Sequence, residues 1–203
     1  MTTHSTTAFI SPPTRIPFPL RLGLWAVRRL AGKDLLPAQL LTWYPRAAVS
    51  SGILEALIAP PEGHLTERLL KLIRLQVSLI IACPFCIDLN SLEADRFKIT
   101  EDELAALRGY RPADSVSSFT APERFAIAYA QAASQTPPDF APDLIAKLKT
   151  HFTEREFVIL ATTIAQVNYW ARLAQGLGVP LGGFSDQCEL PGSGMSPMTD
   201  QRI

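Results

Sequence analysis

The sequence predicts an all-α, single-domain helical bundle, and three observations carry that prediction. Thr100-Glu101-Asp102-Glu103, Thr120-Ala121-Pro122-Glu123 and Thr153-Glu154-Arg155-Glu156 each place Thr at an N-cap and Glu three positions on. In this capping box the Thr hydroxyl and the Glu carboxylate each satisfy a backbone N–H that the first helical turn leaves unpaired. Residues 66–82 are apolar nearly all round, as expected of a helix at the centre of a core. No stretch shows the apolar/polar alternation of a half-buried strand.

Composition bounds the rest. A chain of 203 residues with 47% hydrophobic and 19% charged residues suits one globular domain with a substantial core. Net charge is zero, so no electrostatic footprint for nucleic acid is expected. Three cysteines do not make a disulfide scaffold. The Ser/Thr/Pro-rich start lacks an apolar leader core, and the run 75–86 is interrupted by Gln76 and Ser78 and is too short to span a bilayer. The expectation is a soluble, cytoplasmic protein with no membrane partner.

In chain order, residues 1–19 read as a flexible, extended arm because Pro12, Pro13, Pro17 and Pro19 exclude regular structure. Residues 20–31 form a short basic amphipathic helix, stopped by Gly32 and read as a solvated helix or a subunit-contact arm. Helical pieces follow at 37–43 and 47–59, closed by Pro60-Pro61-Glu62-Gly63. In the helix at 66–82, Glu67, Lys71, Arg74 and Ser78 form one polar stripe. It reads first as a solvated face with a Glu67–Lys71 pair, and alternatively as a line of polar groups entering a site. The last long helix, after the third capping box, is ended by Gly176, Gly178 and Pro180. The helical domain is therefore placed at 20–181, with a flexible tail at 182–203 in which Cys188 is incidental. Tyr169, Trp170 and Arg172 suit either a core helix with a snorkelling Arg or a pocket or subunit interface.

Chemistry concentrates at Cys83-Pro84-Phe85-Cys86. Two thiols three residues apart at a helix start can close into a disulfide with little backbone movement, and the helix N-terminus favours thiolate there. Zinc would need two further ligands, and His4, His64, His151 and Cys188 are unpaired in sequence, so no metal and no cofactor is expected. A thioredoxin-like reading lacks its βαβ context. At 100° per residue Asn90 shares a face with Cys86 and Glu93 follows, whereas Asp88 points away from Cys83. Asn90 and Glu93 are thus the candidates to serve a thiol.

The block from Arg68 through Ser78, Cys83-Pro-Phe-Cys86 and Asn90 resembles the carboxymuconolactone decarboxylase/alkylhydroperoxidase D-like superfamily. Pro122 through Ala130, Phe152 through Glu156 and Asn168 through Pro180 extend the resemblance over about residues 20–181. It implies an all-helical fold that assembles as a homo-oligomer (dimer, trimer or hexamer). It also implies a thiol-dependent peroxidase acting on a small-molecule hydroperoxide and recycled by a dithiol reductant. On that pattern Cys86 attacks the peroxide, and Cys83 donates the proton and resolves the sulfenic acid as a Cys83–Cys86 disulfide. The family's relay His and Glu fall on Asn90 and Lys71, neither of which can act as the base. Lys71, Asn90, Glu93 and Ser78 are the supporting candidates. Two further functions compete: a decarboxylase with Lys71, Arg74 and Arg172 as a carboxylate clamp, and a non-enzymatic redox sensor.

Overall fold

The computed structural model describes residues 7–56, 61–92 and 94–184. The described residues fold into helices α1 (Phe18–Ala31), α2 (Leu36–Leu41), α3 (Pro45–Ala56), α4 (Glu67–Ile80), α5 (Pro84–Ser91), α6 (Glu101–Leu107), α7 (Ala121–Ala133), α8 (Pro142–His151) and α9 (Glu154–Gly176). Short 3-10 turns lie at Asp95–Phe97 and Ala113–Ser115, and the described residues hold no strand beyond an isolated bridge between Glu62 and Leu65. The all-α expectation holds.

The apolar run is the axis of the core. Leu69, Leu72, Ile73, Leu75 and Val77 of α4 are at most 1% exposed, and α4 packs against α5, α7 and α9. The helix starts one residue later than its pattern suggested because Thr66 is its N-cap, accepting the Leu69 N–H at 3.1 Å. It ends at Ile80, and Ala82 takes a φ of 51°, a left-handed turn that leads the chain into Cys83.

The polar stripe on α4 is not the solvated face favoured by sequence. Glu67 is exposed, Lys71 and Arg74 are half-buried, and Ser78 is fully buried. The row therefore descends from solvent into the core and finishes beside the cysteine helix. Tertiary packing decides this, because helical spacing fixes which residues share a face but not what covers that face.

All three capping boxes are present, and their carboxylates do more than cap. Arg68 donates through Nη2 to Glu103 at 2.5 Å and through Nε to Glu123 at 2.8 Å, so one guanidinium of α4 ties the starts of α6 and α7 together. Burial works against the Glu103 anion, but Arg68, Ser118 and the Thr100 N–H outweigh it and hold that carboxyl below the usual range. Glu156 accepts the His64 N–H at 2.6 Å, fastening the loop before α4 to α9. Gly63 is required there: its φ is 56°, and a Cβ would collide with the Glu156 carboxylate.

Two boundaries differ from the sequence reading. Pro19 does not exclude helix, since it lies in the first turn of α1, where a missing N–H costs nothing. The described part of the arm is also tied down: Phe9 N–H donates to Leu177 O at 3.0 Å and Trp43 Nε1 donates to Ser11 O at 2.9 Å. At the other end packing continues past 181, because Phe184 is 9% exposed and joins the core. Cys188 lies outside the described residues.

Tyr169 and Trp170 serve the chain's own packing. The Tyr169 hydroxyl lies 2.6 Å from Ser51 Oγ, and Trp170 Nε1 donates to Glu55 at 2.9 Å, so both hold α3 against α9. By contrast α1 buries no residue, and Phe18, Leu22 and Trp25 lie exposed along one side of it.

Candidate active site

The site forms where α4 hands over to α5. Cys83 is the N-cap of α5, with Pro84 opening the helix, and its Sγ accepts the Cys86 N–H at 3.3 Å. Both cysteines are free thiols, buried at 0% and 4% exposure, with their Sγ atoms 2.8 Å apart. At that distance the two sulfurs are hydrogen-bonded to each other. The contact with Cys86 lowers the Cys83 pKa; burial opposes this, and the backbone N–H groups of Cys86 and Phe85 reinforce it. The same contact, with burial and the charge on Cys83, pushes Cys86 up. The geometry breaks the symmetry of the pair: the N-cap sulfur receives backbone donors, so the monoanion's charge rests on Cys83.

Two supporting candidates meet. Asn90 Nδ2 donates to Ser78 Oγ at 3.0 Å, and Ser78 Oγ donates in turn to Arg74 O at 2.8 Å. Asn90 is thus an amide held against the central helix. Lys71 turns elsewhere, its ammonium 5.5 Å from the Phe97 ring centroid. The groups that lower the Cys83 pKa are Cys86 and the backbone amides of the motif, not Lys71. Glu93 lies outside the described residues.

Of the cations proposed as a carboxylate clamp, Arg74 is half-buried, with burial lowering its pKa against the opposing charge of Glu55, the Lys71 ammonium lies 5.5 Å from the Phe97 ring centroid, and Arg172 is exposed on α9. Glu55 also accepts Gln166 Nε2 at 3.0 Å. His151 stacks on Phe125. No group of three or more His, Cys, Asp or Glu among the described residues could hold a metal ion.

One part of the site escaped the sequence. Asp88, 1% exposed, points away from the thiols and accepts the Gly182 N–H at 2.9 Å and the Phe184 N–H at 3.0 Å. The Phe184 ring packs edge-on against Phe85, between the two cysteines in sequence, at 5.9 Å. Lys33 lies over that ring at 5.1 Å and also donates to Gly183 O. The only signal was a buried-pattern Asp in an apolar helix, which demands donors from somewhere.

Fold and site together define an all-helical protein built around a buried Cys-x-x-Cys dithiol. Residues 48–132 match the model of the carboxymuconolactone decarboxylase family, the family that the Cys83–Cys86 block resembles. An uncharacterised Escherichia coli protein, YnjA, is 28% identical over 189 residues, covering 90% of this chain and 97% of its own. Two solved structures share the fold. One is the debrominase Bmp8, with a TM-score of 0.72 and 20% identity over 87% of this chain and 94% of that one. The other is the alkylhydroperoxidase AhpD core of a peroxidase-related protein from Ralstonia eutropha, with a TM-score of 0.71 and 16% identity over the same 87% and 94%. Among the described residues, no helix is long and apolar enough to cross a membrane.

Proposed function

We propose that this chain is a thiol-dependent peroxidase that reduces a small-molecule hydroperoxide through the Cys83–Cys86 pair and is recycled by a dithiol reductant. The observation that carries this reading is the pair of free, buried sulfurs 2.8 Å apart at the start of α5. Cys86, the less buried of the two, attacks the terminal peroxide oxygen and passes its proton to the Cys83 thiolate. The O–O bond breaks, leaving Cys86 as a sulfenic acid and the alkoxide as an alcohol once protonated. Cys83 then attacks the Cys86 sulfur and expels hydroxide, closing the disulfide. The balance is one dithiol and one hydroperoxide to one disulfide, one alcohol and one water. Cys83 thus stands in for the base that Asn90 and Lys71 cannot supply. Steady-state hydroperoxide consumption with dithiothreitol tests the reading. Wild type should turn over and Cys86→Ser should not; turnover that survives Cys86→Ser overturns it.

A second reading has a specific support, the debrominase fold relative solved as a C82A variant with 2,3,4-tribromopyrrole. The same dithiol can take bromine from an aromatic carbon as a soft electrophile, giving the debrominated ring, bromide and the same disulfide. Bromide release from a polybromopyrrole in the same assay separates the two substrates. The chain's own partner would be a second copy, with the exposed side of α1 as the contact; cytoplasmic residence goes with a dithiol that must be kept reduced.

A further inference from the structure

On the face of α4 opposite Ser78 lies a cavity of about 300 Å³, lined by Gln76, Leu79, Ile80, Leu107, Arg108, Gly109, Gln131 and Gln135. Neither cysteine, Ser78 nor Asn90 lines it, so it is separate from the dithiol site. Gln76 is 2% exposed and reaches the cavity's inner wall. Its Nε2 donates to Leu107 O at 3.3 Å, which fixes the amide orientation and leaves Oε1 as a buried acceptor with no donor among the described residues. Such an acceptor costs free energy unless something brings it a hydrogen.

The electrostatics say what kind of group that is. The cavity lies at the C-terminal ends of α4 and α7: Leu79 and Ile80 close the first, and Gln131 and Gln135 flank the end of the second. Neither helix carries a basic residue in its last turn, so the negative ends of both dipoles face this region without a side-chain cation of their own. Leu79, Ile80 and Leu107 supply an apolar wall, and the guanidinium of Arg108 stands at one side. We propose that this cavity is a second ligand site for a small amino-acid-like zwitterion with a short apolar body. Its ammonium donates to Gln76 Oε1 at the helix ends, its aliphatic part lies on the leucine wall, and its carboxylate faces Arg108.

Three probes separate the parts: L-norvaline, n-butylamine and butyrate. Each is titrated at millimolar concentration into the reduced, full-length protein and followed by amide NMR. Shifts should concentrate on the Gln76 side-chain amide and on Leu107 and Arg108, with norvaline binding more tightly than butylamine and butyrate weakest. Gln76→Leu should weaken butylamine about tenfold, the loss of one hydrogen bond to a charged donor. Binding of butyrate as tight as butylamine, shifts mapped elsewhere, or no binding by any probe overturns the proposal. In that last case a water molecule satisfies Gln76. The wild-type titration stands even where Gln76→Leu fails to fold. Because the readout is binding on the far side of α4, it succeeds or fails independently of peroxide turnover.

Discussion

Asn90 donates its side-chain amide to Ser78 Oγ at 3.0 Å, tying the cysteine helix to the buried end of the polar stripe on α4. An amide at this place orients but does not take a proton. In the proposed reaction proton handling falls to the two sulfurs, and the consequences can be measured.

The first consequence is a division of labour between the thiols. Cys86→Ser should abolish peroxide consumption, and Cys83→Ser should leave a sulfenic acid at residue 86 that dimedone traps. Peroxide-treated wild type should lose two hydrogens within the peptide that holds both cysteines. Dimedone on Cys83 in the Cys86→Ser protein would instead assign the attack to the N-cap sulfur.

The second concerns pH. The Cys83 pKa is lowered by its contact with Cys86, and that of Cys86 is raised by the same contact. The monoanion should therefore form more readily than the thiolate of an isolated cysteine and persist over a wide pH range. Peroxide reactivity of wild type should rise with pH through a midpoint below that of a free cysteine thiol measured alongside and then level off. Installing a base with Asn90→His should raise the rate near neutrality, by on the order of a hundredfold if the imidazole reaches the pair. A midpoint at or above that of the free thiol would refute the lowering of the Cys83 pKa.

A third prediction concerns stability. Glu103 is fully buried and depends on Arg68, so Arg68→Met should cost about 3 kcal/mol in urea unfolding by stranding that carboxylate. The sign with pH follows from the lowered Glu103 pKa. Its contribution is present above the unfolded carboxyl value of about 4.3 and is lost as pH falls through the folded one. Acid titration of wild type should show that loss, and Glu103→Gln should flatten it.

A fourth tests the C-terminal strap. Asp88→Ala removes the acceptor for the Gly182 and Phe184 amides and should cost about 2 kcal/mol. Hydrogen exchange should speed up at those two amides and at Phe85, while α7 and α8 stay protected. Unchanged protection at Phe184 would show that ring packing alone holds the strap.

The last concerns assembly. Phe18, Leu22 and Trp25 lie exposed along α1, with Trp25 at 63% exposure. A side of this kind calls for a second copy. Light scattering at micromolar concentration should give a multiple of the chain mass, and Leu22→Glu with Trp25→Glu should return it to 22.3 kDa. A monomeric wild type would rule the contact out.

By itself the sequence determined what depends on local chemistry. The capping boxes fixed three helix starts, because a Thr and a Glu three residues apart satisfy each other's backbone whatever surrounds them. The apolar run located α4, and the Cys-x-x-Cys spacing placed the two sulfurs on one turn. The tertiary structure alone decided which groups from distant parts of the chain meet. It buried the foot of a polar stripe that spacing left open, set half-buried Arg74 in the field of Glu55, and gave Asp88 the amides of residues 182 and 184. It also fixed which sulfur carries the charge, by setting Cys83 rather than Cys86 at the N-cap of α5. The physical reason is common to all four. Burial and electrostatic partners are properties of packing, and helical periodicity specifies a face without specifying what lies against it.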